Sequence, residues 1–77
     1  MFKVTKKQLE EARHEWEYKD GDNFTAILFE LIRKADYINF RKLAKVYPAE
    51  TYVHAEHYHP YLIAVGGSEQ IFEIVEE

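Results

Sequence analysis

The residue types best suited to chemistry gather in one stretch, PAETYVHAEHYHP (residues 48–60), which carries Glu50, His54, His57 and His59. On a helix Glu50, His54 and His57 stand at i, i+4 and i+7 and share a face. That spacing suits one carboxylate and two imidazoles around Zn²⁺ or Ni²⁺. Three things count against a native site. The spacing is not HExxH, no fourth ligand is indicated, and a surface helix end with adventitious affinity explains the same residues. No resident metal and no cofactor is therefore expected, and the imidazoles suit a pH-sensitive contact better. Glu56 falls among Ala49, Tyr52 and Val53 on the apolar side of this helix, so either the helix frays there or the carboxylate meets a partner.

The basic residues concentrate at Arg33, Lys34, Arg41, Lys42 and Lys45. Two helices meeting at Ala35-Asp36, the second with a basic face, fit a helix-turn-helix reading. The same apolar spacing fits any antiparallel helix pair. Few Asn, Gln or Ser residues accompany the basic ones to read base edges, and the net charge is −4. Nucleic-acid binding is thus the alternative reading, not the leading one.

Six tyrosines form the third cluster of interest. Several are expected in the core with the hydroxyl at its edge. Tyr52, Tyr58 and Tyr61 lie too close together for all to be buried, and Tyr is enriched at interface hot spots. A recognition patch over residues 47–63 follows, with Glu56 in it. Nucleophilic chemistry finds no support. The serines and threonines are Thr5, Thr25, Thr51 and Ser68, three of them at capping or helix-start positions. No nucleophile elbow, P-loop or dinucleotide fingerprint is present, and Gly66-Gly67 is too short to cradle phosphate. The chain is not expected to be an enzyme.

The elements that would position these residues are helical. Pro and Gly number two and three in 77 residues, against a turn-rich all-β fold. Thr5 opens a capping box with Gln8, ahead of a helix over about Lys6 to Tyr18. Its apolar seam is Leu9, Ala12 and Trp16, and Lys6–Glu10, Lys7–Glu11 and Arg13–Glu17 are spaced for i,i+4 pairs. Lys19 to Asn23 is a turn in which Asn23 caps a second helix, NFTAILFELIRKA, ending near Ala35. Phe24, Ile27, Leu28, Leu31, Ile32 and Ala35 share one side and Phe29 widens it. That arc is about twice the ~100° of an ordinary surface helix, so this helix is expected to be the central element.

Asp36 caps a third helix, Tyr37 to Tyr47, and Pro48 starts a fourth that closes near His57. In the tail, Ile71, Phe72, Ile74 and Val75 cluster on one helical face opposite Glu69, Gln70, Glu73, Glu76 and Glu77. A helix after Ser68 is preferred to a strand pairing back on Tyr61–Val65. Three flanks could then cover the second helix: the Trp16 seam, the Phe40/Tyr47 face and the Ile71–Val75 face. If the tail does otherwise, Phe29 and Ile32 become candidates for a dimer contact.

The segment DGDNFTAILFELIRKADYINFRKLAKVYPAE (residues 20–50) resembles a pattern in short proteins encoded by phages and prophages. There a helix of the form F-T-A-x-L-(F/L)-x-L-I-x-K-A-D runs into N-x-x-(K/R)-L-x-x-(A/V)-(F/Y)-P-x-E. The resemblance implies a helix pair followed by a Pro-started third helix. It also implies an accessory role, in some such proteins an anti-CRISPR or other anti-defence one, exerted by blocking a host protein. No inhibitor motif is matched, so no site is carried over.

The expectation is one all-α domain over residues 1–77, a small bundle of four to five short helices. Residues 61–77 are either an extended segment plus an amphipathic helix or a β-hairpin. No cysteine, no leader and no run near the ~18 residues of a membrane span is present, so a cytoplasmic protein is expected, in the host cytoplasm if phage-encoded. Its expected work is non-enzymatic binding to a host protein or to itself as a homodimer.

Overall fold

The computed structural model describes residues 1–76. Strand β1 (Phe2–Thr5) leads into helices α1 (Lys6–Trp16), α2 (Phe24–Lys34), α3 (Tyr37–Val46) and α4 (Pro48–Tyr58). A 3₁₀ turn (Pro60–Leu62) and strand β2 (Phe72–Val75) complete the chain. The fold is a small, mostly α bundle carrying a two-stranded sheet. No helix among the described residues is long and apolar enough to cross a membrane.

Each helix start is made by residues next to it in sequence. The Thr5 hydroxyl accepts from the Gln8 amide at 3.1 Å, and the Gln8 side chain accepts from the Thr5 amide at 3.0 Å. Asn23 accepts from the Ala26 amide at 2.9 Å, and Asp36 from the Asn39 amide at 2.8 Å. Each bond satisfies an N–H that the helix itself leaves open. Pro48 takes the first position of α4, where a missing N–H costs nothing.

The hub of the bundle is α4, not α2. Ala49, Thr51, Tyr52, Val53, His54 and Ala55 of α4 are all buried, and α4 packs against α1, α2, α3, β1 and the 3₁₀ turn. Its sequence conceals this because the buried positions run round the whole helix and include His and Thr. Alanines leave room for close approach, and the Thr51 hydroxyl donates to the carbonyls of Tyr47 and Pro48 at 2.9 and 3.0 Å, so no polar atom is stranded. The wide apolar arc of α2 is only half covered. Leu28, Phe29 and Ile32 enter the core, whereas Phe24, Ile27 and Leu31 remain exposed. Phe29 and Ile32 are thus core residues and unavailable for a dimer contact.

The tail corrects both of its expected forms. Residues 72–75 are a strand, and its partner is the amino terminus: β2 runs parallel to β1 with Phe2 opposite Phe72 and Val4 opposite Ile74. Glu77, the end of the expected helix, lies outside the described residues. Phe72 decides the matter. Its ring is buried among Phe2, Phe40 and Tyr52, with centroids 5.8, 6.3 and 5.5 Å away. A helical tail would also set Glu73 and Glu76 at the negative end of its own dipole. Gly66, at φ +80°, reverses the chain ahead of the strand, and the Gln70 side chain accepts from its amide at 3.0 Å.

Candidate interaction surface

The Glu50, His54 and His57 set does not assemble. Among the described residues no three His, Asp or Glu side chains converge as a metal would need. His57 lies flat on Trp16, with ring centroids 4.5 Å apart and planes 3° from parallel. Glu50 lines a separate cleft with Gln8, Glu11 and Glu15. His54 is 4% exposed and ringed by Trp16, Phe40, Tyr58 and His59, with centroids at 6.2, 6.2, 4.9 and 5.6 Å. Burial first, and then positive charge on His59, His57 and Arg33, pushes its pKa down to about 4. It is a neutral core histidine. Clefts of about 170 and 190 Å³ lie beside it, both walled by His54 and Arg33. Each falls below the ~300 Å³ at which small-molecule pockets begin.

The tyrosine patch divides. Tyr52 is buried against Phe72, and burial followed by the Glu56 charge raises its pKa, so it belongs to the core. Tyr58 and Tyr61 are exposed. The Tyr61 hydroxyl is 3.5 Å from Nδ1 of His59. Glu56 has its partner inside the chain: Arg13 donates to both carboxylate oxygens, at 3.0 and 2.6 Å. The helix does not fray there; the carboxylate clamps α1 onto α4. Arg13 therefore reaches Glu56 and Lys6 reaches Glu76 at 2.9 Å, instead of the i,i+4 partners that spacing offered.

The basic residues do not form one unoccupied face. Arg33 donates to both oxygens of Glu30, at 3.2 and 2.6 Å, and this bond holds the Glu30 carboxyl below its usual range. Lys34 sits 3.7 Å from the same carboxylate. The Arg41 guanidinium lies over Phe2 and Tyr37 and donates to the Tyr37 hydroxyl at 3.2 Å. Lys42 and Lys45 are exposed and make no ion pair among the described residues.

What the sequence reading missed is the outer row of α2. Phe24, Ile27 and Leu31, 66, 61 and 53% exposed, stand at i, i+3 and i+7 and form a ridge along one helix face. The Phe24 ring meets Tyr47 at 6.0 Å, which extends the apolar surface onto the end of α3. Isolated exposed apolar side chains are ordinary; a row of three large ones on one face is a candidate interaction surface. The signal was in the arc of α2, wider than neighbours in one small chain could cover. Compared with known proteins, the chain matches no family model, no curated protein and no solved structure at a significant level.

Proposed function

We propose that this chain is a small protein-interaction module that works by direct binding, with no covalent chemistry of its own. One observation carries the reading: the uncovered apolar row Phe24, Ile27 and Leu31 on α2. Leaving three large side chains in water forgoes burial worth roughly 1.5–3 kcal/mol each, and the cost is recovered if the row docks on a partner. The resemblance over residues 20–50 supports a reading of this binding as contact inhibition of a host defence protein, in the cytoplasm of a phage-infected host. Nucleic-acid binding through Arg33, Lys34, Arg41, Lys42 and Lys45 ranks second, because both arginines are already engaged, by Glu30 and Tyr37.

The test is a photo-crosslinking amino acid at position 27, compared with one at position 42, irradiated in cell lysate and with purified protein. A discrete adduct from position 27 and none from position 42 is expected. Equal labelling from both, or no adduct at all, would remove the reading.

A further inference from the structure

We infer that the occupant of the α2 row is a second copy of this chain, packed helix on helix and antiparallel about a twofold axis near Ile27. This rests on the reading of α2 as a docking face and names its partner. The row is self-complementary in spacing. Around an axis between Ile27 and Leu28, Phe24 of one copy faces Leu31 of the other, and the two Ile27 side chains meet at the centre. A large ring therefore meets a branched aliphatic at both ends, and an isologous contact requires that kind of match.

Charge selects the direction. Just ahead of the row lies Asp22, exposed and without an ion pair among the described residues. At its far end lies Lys34, two turns after Ile27 on the same side of the helix, whose ion pair with Glu30, at 3.7 Å, is the longest among the described residues. Antiparallel packing sets Asp22 of one copy against Lys34 of the other, twice over by symmetry. It also opposes the two helix dipoles. Parallel packing would set lysine against lysine and aspartate against aspartate. A partner of unrelated chemistry has no reason to match both the spacing and the polarity of this face.

The contact is small. An eleven-residue helix is about 16 Å long and roughly 10 Å across, short of the ~800 Å² per partner of a standard interface. Association is therefore expected at micromolar concentrations or above, with the monomer folding on its own.

Sedimentation equilibrium of the purified full chain from about 10 µM to about 1 mM tests this. The mass should climb from 9.2 kDa toward twice that value. Ile27→Lys and Leu31→Asp should hold it at 9.2 kDa over the whole range, with an unchanged far-UV spectrum and thermal midpoint at low concentration, since both side chains are already in water. Asp22→Lys and Lys34→Glu should each weaken self-association several-fold. Mixed together they should associate better than either alone, because both cross-pairs in the mixed dimer carry opposite charges.

A wild-type mass that stays at 9.2 kDa to the top concentration overturns the inference. So does a dimer indifferent to Ile27→Lys, or a mixture no better than its components. A monomeric chain that still crosslinks from position 27 to another protein in lysate overturns the second copy as occupant and leaves the interaction reading standing. A monomeric chain with no adduct overturns both.

Discussion

Acid should loosen this protein through one side chain, His54. Its pKa is about 4 in the fold, against the ordinary 6.5, because the ring is buried among Trp16, Phe40, Tyr58 and His59. Facing it are His59 just past α4, Tyr58 and His57 at the end of α4 and Arg33 from α2, while Lys19, Asp20 and Glu30 line the cleft beside it; among the described residues neither carboxylate is hydrogen-bonded or ion-paired to the ring. Between pH 6.5 and 4 the unfolded chain holds this proton and the folded chain does not, so stability rises with pH there. The contribution is fully present above pH 6.5 and is lost as pH falls toward 4. At about 1.4 kcal/mol per pH unit the ceiling is about 3 kcal/mol. The clefts on both sides of the ring admit water and reduce that to about 2 kcal/mol.

The measurement is urea unfolding followed by Trp16 fluorescence at pH 7.5, 6.5, 5.5 and 4.5, on wild type and on His54→Phe, with His54→Gln as the second variant should Phe overpack the site. Carboxylate and other histidine titrations are common to both chains, so the difference in slope isolates His54. Stability of the wild type should fall about 2 kcal/mol further than that of the variant between pH 6.5 and 4.5. Equal slopes would refute the assignment of His54 as a buried neutral base.

Three further perturbations read the packing. Phe72→Ala empties the centre of the core for about 3–5 kcal/mol, a large part of the roughly 4–12 kcal/mol expected of a 77-residue domain; thermal melting should show the midpoint lowered by roughly 12–40 °C. The Arg13–Glu56 clamp is half exposed on the arginine side. A double-mutant cycle with Arg13→Ala and Glu56→Ala should return about 0.5–1 kcal/mol, falling in high salt. Thr5→Ala removes one half of the capping box and should cost about 1 kcal/mol by urea unfolding, whereas Thr25→Ala, which makes no such cap, should cost less.

The helices were legible in the sequence because their ends are written locally. Thr5 with Gln8, Asn23 with Ala26 and Asp36 with Asn39 are contacts three residues apart, and Pro48 marks its own helix start. Those bonds form whatever the rest of the chain does, so four helices and their order could be read without knowing how they pack. The metal set failed for the complementary reason. Its i, i+4, i+7 spacing on α4 was read correctly, but His54 turned into the core and His57 onto Trp16, and only neighbouring elements could dictate that.

Tertiary structure alone decided the rest. The strand Phe72–Val75 carries the pattern of a short amphipathic helix, and its conformation is set by Phe2–Thr5, some seventy residues earlier in the chain. Glu56, odd on an apolar helix face, is explained by Arg13, forty-three residues away. Likewise the sequence determined that α2 is apolar over too wide an arc, but the packing of α1 and α4 chose which half of it to bury. They took Leu28, Phe29 and Ile32 and left Phe24, Ile27 and Leu31 in water. Local hydrogen bonds specify where helices begin; which faces meet is a property of the whole assembly, and on that choice the exposed row, and with it the proposed binding function, depends.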